Sequence, residues 1–210
     1  MRLAATSLAI ALLSGCGVAP DPGPPWQPLF DGVSLAGMTR TNYGGEGEVS
    51  VVDGQLRQLP GSPLTGIHIE GWQPTPNYQI EVVAARLAGQ DFFCGLTFPV
   101  SSEHLTLVLG GWGGTVSGIS NLDGLDASSN DTRRLRYFEN GRFYRILVTV
   151  TQEHLDVTID GEPFLAANLA GRQLGLRAEM EPSRPVGFAC FQTEAAVSSL
   201  RWRPLADPVE

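Results

Sequence analysis

Apolar side chains recur at every second position through most of the chain, which is the period of a β-strand and not of a helix. The clearest runs are Tyr78, Ile80, Val82 and Ala84; Phe92, Cys94, Leu96 and Phe98; Leu105, Leu107 and Leu109; Tyr144, Ile146, Val148 and Val150; and Leu155, Val157 and Ile159. Asp-Gly and Asn-Gly pairs at 53–54, 140–141 and 160–161 predict tight turns between runs. The pattern therefore predicts an all-β fold, a jelly-roll β-sandwich of two antiparallel sheets.

The first residues have a different pattern, typical of an export signal. Arg2 is followed by a short apolar run, Leu3 to Leu13, which is too short to span a bilayer. The sequence Leu13-Ser14-Gly15-Cys16 resembles the bacterial lipobox, with Cys16 as the lipidated residue. We therefore expect residues 1–15 to be a lipoprotein signal peptide, with an ordinary secretory signal as the alternative. Because Gly17, and not Asp, follows Cys16, sorting rules favour the outer membrane of a bacterial cell envelope.

Residues 16–28 contain five prolines and no helical or strand pattern. Such a segment favours an extended, semi-rigid tether between a lipid and a folded domain. The remaining chain contains no second tether, so residues 29–206 are predicted to form a single β-sandwich domain.

Composition excludes several function classes. The chain has 14 basic and 22 acidic residues, a net charge of −8, and no lysine. An acidic surface with no basic cluster argues against nucleic acid, and the membrane is expected to be a partner only through the lipid anchor. Without lysine there can be neither a Schiff-base lysine nor a Walker A motif.

The candidate functional segment runs from residue 109 to 132. It begins with Trp112 between two glycine pairs and continues into a loop rich in aspartate and asparagine. Glycines beside an indole leave the ring accessible, and sugar C–H faces stack on such rings. Trp112 is thus predicted to contact a carbohydrate ligand, with Asn121, Asn130, His104 and Arg134 as further binding candidates. The alternative is a glycine-loosened hairpin with a solvated acidic loop.

Three carboxylates are candidates for catalysis: Asp91 at the start of a strand, and Asp123 and Asp126 in the acidic loop. Glycoside cleavage by the usual route needs two carboxyl groups, one protonated and one ionised. Each of the three has an ordinary alternative as a turn residue. Glu179 and Glu181 flank Met180 before a proline and are expected to be exposed loop charges.

The same loop offers oxygen ligands for calcium, namely Asp123, Asp126 and Asn130, although their spacing does not match an EF-hand. A divalent cation is therefore an open expectation and no other cofactor is indicated. The histidines are scattered, without a zinc-binding pair. Cys94 and Cys190 lie in apolar strand patterns, and either a disulfide or two buried thiols is consistent with export.

The order of several motifs resembles the 3-keto-disaccharide hydrolase-like domain family. Leu29-Phe30-Asp31-Gly32-Val33-Ser34-Leu35-Ala36-Gly37 is similar to its opening motif, and Val51-Val52-Asp53-Gly54-Gln55-Leu56 to its second element. Residues 141–146 with 159–162 fit its late hairpin, and residues 185–192 with 197–205 its closing strands. The resemblance covers about residues 27 to 205. It implies a concanavalin-like jelly roll in which a concave sheet meets carbohydrate.

Two departures from the family pattern bear on function. Family members carry Glu-x-Gln in the strand that here contains Leu109-Gly110-Gly111-Trp112, and often His-Gly where Thr193-Glu194 follow Gln192. The resemblance implies an envelope-anchored glycoside hydrolase that acts on 3-keto-disaccharides or related glycosides. The alternative is a carbohydrate-binding or surface-adhesion lipoprotein without catalysis.

Overall fold

The computed structural model describes residues 23–72, 74 and 77–205. Residues 1–22 lie outside this range, so the signal peptide and Cys16 do too. Within the described residues the chain forms fifteen strands and one 3₁₀ helix, Ala178–Ser183. The strands are β1 (Gln27–Pro28), β2 (Thr39–Arg40), β3 (Val49–Val52), β4 (Gln55–Gln58), β5 (Leu64–Ile69), β6 (Tyr78–Ala88), β7 (Cys94–Val100), β8 (Glu103–Gly111), β9 (Val116–Ser120), β10 (Arg134–Leu135), β11 (Tyr144–Val150), β12 (His154–Ile159), β13 (Glu162–Asn168), β14 (Val186–Phe191) and β15 (Glu194–Pro204).

The strands form two antiparallel sheets, which confirms the predicted sandwich. Sheet A has the order β13-β12-β11-β6-β15-β4-β3, with β1 also paired to β15, and sheet B has the order β10-β9-β8-β7-β14-β5-β2. Alternate side chains of both sheets, such as Ile80, Val82, Leu96 and Phe188, are buried in one core. The predicted turns at 53–54 and 160–161 join β3 to β4 and β12 to β13. Within the described residues, no helix has the length and apolar character needed to span a membrane.

The segment before the domain pairs with sheet A. Gln27 and Pro28 lie opposite Trp202 and Arg201 on β15. The guanidinium groups of Arg201 and Arg203 lie 4.6 and 4.5 Å from the ring centroid of Trp26. Such cation–π contacts stabilise the position of the ring. The residues from Trp26 onward are therefore attached to the sandwich, although the sequence assigns positions 26–28 to the tether.

A second, smaller apolar cluster lies on the outer face of sheet B. It contains Leu64, Ala189 and Met180, packed with Tyr43, Phe92, Leu176 and Phe191. Met180 belongs to the 3₁₀ helix, so this cluster attaches the helix to the sheet. The two-residue alternation predicts Phe92 on the same face as Cys94, but this prediction is wrong, because β7 begins only at Cys94 and the preceding bend turns Phe92 outward.

Both cysteines of the core are free thiols. Cys94 and Cys190 are fully buried, and Cys190 Sγ donates a hydrogen bond to the carbonyl oxygen of Thr193 at 3.0 Å. Burial disfavours the charged thiolate, so it raises the pKa of both thiols, that of Cys190 to about 12. Neither thiol has the properties of a reactive nucleophile.

Candidate functional site

Trp112 lies at the tip of the hairpin that joins β8 to β9. The chain turns here through three consecutive residues with positive φ: Trp112 at +50°, Gly113 at +85° and Gly114 at +110°. Gly114 N–H donates to the carbonyl oxygen of Gly111 at 3.1 Å and closes the turn. Because glycine adopts such angles without strain, the Gly-Gly pairs make this tight tip feasible. Trp112 is left 43% exposed.

A cleft of about 190 Å³ opens beside this hairpin, between the outer face of sheet B and the segment around the 3₁₀ helix. We call it the Trp112 cleft. Its apolar lining is Leu64, Phe92, Val108, Met180 and Phe191, and its polar lining is Asp91, Thr106, Ser120, Arg177 and Glu179. Ligand pockets are typically ~300–1,000 Å³, so this cleft suits a single sugar-sized group more than a long buried ligand.

The floor of the cleft carries no ionisable group. Thr106 and Val108 project from β8, Ser120 from β9 and Leu64 from β5. The charged groups of the cleft are Asp91, Arg177 and Glu179, all on loops or on the short helix at its edge. Acid–base chemistry in this cleft would therefore depend on the edge residues.

Asp91 connects the cleft edge to the Trp112 hairpin. Its Oδ1 accepts a hydrogen bond from Phe92 N–H at 2.8 Å, and its Oδ2 accepts one from Gly113 N–H at 3.2 Å. Asp91 and Trp112 were both predicted as site residues, and the structure brings them to the same cleft. The carboxylate is half-buried, so a ligand in the cleft could still reach it.

Asp126 does not line the cleft, but it contacts Arg177, which does. Its Oδ2 accepts a hydrogen bond from Arg177 Nη1 at 3.0 Å, and Arg177 also pairs with Glu179. Burial alone would raise the pKa of the Asp126 carboxyl, but the hydrogen bonds from Ser128 and the Arg177 charge outweigh burial and lower this pKa below its ordinary value. Asp126 thus positions Arg177 and does not itself line the cleft.

Asp123 and Asp131 face Arg172 instead of the cleft. Arg172 Nε donates to Asp123 Oδ2 at 2.6 Å, and its Nη1 and Nη2 donate to the two oxygens of Asp131 at 3.1 and 3.0 Å. The hydrogen bonds from Arg172 lower the pKa of the Asp131 carboxyl. These bonds join the acidic loop to the segment before the 3₁₀ helix.

Asn130 and Asn121 are engaged within the protein. Asn130 is buried; its Nδ2 donates to Ile119, Leu125 and Asp126 carbonyl oxygens, and its Oδ1 accepts from Thr132. Asn121 Oδ1 accepts from the Ser120 hydroxyl at 2.8 Å. A ligand contact by Asn130 would require these bonds to break.

Arg134 and His104 lie outside the lining of the cleft. Arg134 Nη1 donates to the carbonyl oxygens of Asp131 and Arg133. His104 is buried on β8, and neither ring nitrogen has a hydrogen-bond partner among the described residues. Burial lowers the pKa of His104, which keeps the imidazole neutral.

The oxygens expected to bind calcium are already occupied by donors. Asp123 accepts bonds from Arg172 and Gln173 N–H, and Asp126 from Ser128 and Arg177. In the described part of the chain, no group of three or more His, Cys, Asp or Glu side chains could hold a metal ion. A cation here would have to displace two guanidinium groups, so calcium binding stays a prediction.

Sequence reasoning missed the contribution of residues 177–180. Glu179 is exposed, as expected, but it lines the cleft together with Arg177 and Met180. This segment has no apolar periodicity, and only the alternation of charged residues around Met180 marks it. Its position follows from Met180 packing on the outer face of sheet B.

Comparison with known proteins supports the fold and leaves the family open. No family model and no curated protein matches the sequence. Among solved structures, the chain is similar to the Crh5 transglycosylase in complex with NAG, with a TM-score of 0.59 and 13% identity over 87% of this chain and 85% of that one.

Two further similar structures are carbohydrate-binding proteins by their descriptions. The carbohydrate-binding module CBM66 from Bacillus subtilis has a TM-score of 0.52 and 11% identity, over 78% of this chain and 93% of that one. The exoplasmic/lumenal domain of VIP36, bound to Ca2+ and Man3GlcNAc, has a TM-score of 0.54 and 11% identity, over 84% and 89%. At such identities the likeness establishes a shared jelly-roll architecture, and function has to be argued from the site.

Proposed function

We propose that this protein binds carbohydrate in the Trp112 cleft. The observation that carries the proposal is the exposed indole of Trp112 at the edge of a cleft that also contains Asp91, Arg177 and Glu179. An indole face packs against the C–H face of a sugar ring, while charged and hydroxyl groups bind its hydroxyls. The cleft offers both kinds of contact within a space of sugar size.

The similar structures support this proposal in a general way. They include a transglycosylase with a bound sugar, a carbohydrate-binding module and a lectin-like domain with a bound glycan. All share the sandwich with this chain, and the transfer of their ligand class to it is our inference. The resemblance to 3-keto-disaccharide hydrolase-like domains points to the same class of ligand.

Glycan binding by the purified protein tests this proposal. The protein is screened against a panel of oligosaccharides, and hits are quantified by calorimetry. Trp112→Ala should weaken binding about fivefold or more, because stacking on an aromatic side chain contributes ~1–3 kcal/mol. Leu135→Ala is the matched control, since Leu135 is also exposed but lies outside the cleft. If both variants lose the same glycan affinity, or if Trp112→Ala loses none, the ligand binds elsewhere.

A second candidate function is hydrolysis of 3-keto-glycosides, favoured by the presence of Asp91 and Glu179 in one cleft. The ketone of such a sugar acidifies the neighbouring C–H bond. Asp91 would take this proton while Arg177, oriented by its ion pair with Glu179, polarises the ketone; the glycosidic C–O bond breaks, and the proton taken up by Asp91 passes to the leaving oxygen. Water then adds to the resulting enone and restores the 3-keto sugar.

Release of sugar from 3-keto-glycosides and from their unoxidised parents separates the two candidates. Under the hydrolase proposal only the keto forms are cleaved; Asp91→Asn abolishes release and Glu179→Gln slows it, while glycan binding persists. Glu181→Gln is the matched control, because Glu181 lies on the same short helix but outside the cleft lining. If sugar release is lost only in Asp123→Asn or Asp126→Asn, the catalytic groups lie in the acidic loop. Binding without release leaves a binding protein.

We also propose that the domain is held at the cell envelope through a lipid on Cys16. The lipobox-like sequence before Cys16 supports this, and so does the proline-rich segment that follows. Since Trp26 is anchored on sheet A, the tether would reach the domain on the sheet opposite the Trp112 cleft. In that arrangement the cleft would face away from the membrane and stay accessible to a ligand.

A further inference from the structure

Arg86 is a buried cation whose hydrogen-bond acceptors, among the residues that the structure describes, are all neutral. It lies on β6 and is only 3% exposed. Its Nε donates to Asn140 Oδ1 at 2.7 Å, its Nη2 to the Phe138 carbonyl at 2.6 Å and its Nη1 to the Asp91 carbonyl at 3.3 Å. A buried charge without a counter-ion is costly, and buried cations are normally paired with an anion.

A cavity of about 290 Å³ opens at this guanidinium. We call it the Arg86 cavity; it is lined by Arg86, Gln90, Gly113, Gly114, Tyr137 and Asn140, with Gly89 and Thr115. None of these residues is acidic. The guanidinium has five N–H groups and donates three hydrogen bonds within the described residues, so one N–H on each terminal nitrogen is left for a ligand.

Glycine at position 114 leaves space beside this guanidinium. A Cβ atom on Gly114 would lie 3.3 Å from Arg86 Nη1 and 3.1 Å from the Gln90 carbonyl oxygen, and one on Gly110 would lie 3.5 Å from Nη1. A side chain on Gly114 would therefore crowd the cation, whereas a Cβ on Gly110 would only touch it at ordinary van der Waals distance. A second role of Gly114 is thus to leave space beside Arg86.

The Arg86 cavity and the Trp112 cleft share a wall. Gln90 and Gly113 line the cavity, and their chain neighbours Asp91 and Trp112 line the cleft. The hydrogen bond from Gly113 N–H to Asp91 Oδ2 joins the two segments. A chain of two linked sugar units could therefore contact both spaces, one unit on each side of this wall.

We propose that the Arg86 cavity binds the carboxylate of an acidic sugar unit, in a glycan whose neighbouring unit occupies the Trp112 cleft. The two free N–H groups of a guanidinium match the two oxygens of a carboxylate. The amides of Gln90 and Asn140 and the hydroxyl of Tyr137 are available around it for sugar hydroxyls. Because the protein carries a net charge of −8, a preference for an acidic glycan has to arise locally. This inference rests on the proposed glycan-binding function.

The test compares one glycan in two forms, a glucuronic acid-containing disaccharide and its carboxyl-reduced counterpart. We expect the wild-type protein to bind the acidic form at least about tenfold more tightly in calorimetry, as one charged hydrogen-bonded pair would give. Arg86→Gln should abolish this preference and still bind the reduced form. Arg133→Gln removes an exposed arginine that lines neither space and should keep the preference.

A second pair of variants covers the case in which Arg86→Gln does not fold. Gly113→Asp and Gly113→Asn have the same shape; a Cβ at this position meets no atom within 4 Å, and Asn and Asp tolerate a positive φ. The aspartate would supply an internal anion near Arg86. The preference for the acidic disaccharide should thus be lost in Gly113→Asp relative to Gly113→Asn.

The outcomes separate this inference from the proposed function. The carboxylate site is overturned if the wild-type protein binds both disaccharides equally. It is also overturned if the preference for the acidic form survives in Arg86→Gln and Gly113→Asp. Both results leave the proposed glycan binding intact. Binding of a sulfated disaccharide in preference to the glucuronic acid form overturns the choice of a carboxylate. If the protein binds neither disaccharide, and Trp112→Ala changes the binding of no glycan, the proposed function and this inference are both overturned.

Discussion

The carboxylate of Asp91 and the backbone amide of Gly113 are hydrogen-bonded at 3.2 Å, although they belong to segments 22 residues apart. This contact attaches the tip of the β8–β9 hairpin to the loop before β7. It sets the position of Trp112 between the cleft on one side and Arg86 on the other. Several properties of the site should depend on it.

Asp91→Ala should loosen the hairpin tip. The variant loses the acceptors for Gly113 N–H and Phe92 N–H, and the expected loss in the free energy of unfolding is about 1 kcal/mol. Hydrogen exchange at the Gly113 amide should become faster, as followed by NMR. Asp156→Ala removes an exposed carboxylate on β12 and should leave both quantities unchanged. Unaltered Gly113 exchange in Asp91→Ala would show that the bond does not hold the tip.

The ion pair of Arg172 with Asp131 should stabilise the protein only above acidic pH. The folded-state pKa of Asp131 is lowered from 3.8, so its stabilisation is present above the unfolded-state pKa and is lost as the pH falls through the folded-state pKa. Because Asp131 is exposed, we expect Arg172→Gln to cost only about 0.5–1 kcal/mol at pH 7. Urea unfolding should show this difference shrinking below pH 4. A pH-independent difference would indicate that Arg172 acts through packing.

Calcium should not raise the melting temperature of the wild-type protein appreciably. Arg172 and Arg177 occupy the carboxylates of Asp123 and Asp126, and a bound cation would have to displace them. Thermal unfolding in millimolar calcium and in chelator should differ by less than about 1 °C, since a ligand stabilises a protein only as far as it binds. In the double variant Arg172→Gln/Arg177→Gln the shift should be larger. A rise of several degrees in the wild-type protein would mean that the loop rearranges around the cation.

The sandwich could be predicted because burial on one face imposes a two-residue period. The runs at β6, β11 and β12 follow this period closely, and Tyr78, Ile146 and Val157 are buried as expected. Phe92 departs from it because a bend precedes β7. Alternation describes the residues inside a strand and carries no information on where the chain leaves it.

The site was only partly predictable, since it depends on contacts between distant segments. The glycine pairs and the strand start single out Trp112 and Asp91, which line the same candidate cleft. Glu179 reaches the cleft because Met180 packs against Leu64 and Ala189 on sheet B, and Arg86 belongs to an ordinary strand run. Nothing local in the sequence distinguishes these residues from surface charges.

The two core thiols should resist alkylation in the native protein. The pKa of Cys190 is raised to about 12 by burial, so only about 10⁻⁴ of it is thiolate at pH 8. Iodoacetamide treatment followed by peptide mass spectrometry should leave Cys94 and Cys190 unmodified, whereas both should react after unfolding in urea. Rapid native labelling, or a peptide linked through the two sulfurs, would contradict the buried free thiols.

Cys16→Ser should release the protein from the membrane without changing its sandwich. The sequence predicts a lipid on Cys16, and the sandwich begins only at Gln27, so the substitution touches no described contact. In a bacterial host, radioactive palmitate should label the wild-type chain and not the variant, and the variant should appear in the soluble fraction. Stacking of Arg201 and Arg203 on Trp26 should keep the sandwich intact in both, giving equal melting temperatures. Membrane retention of unlabelled Cys16→Ser would mean that the domain binds the envelope by another route, such as the glycan cleft itself.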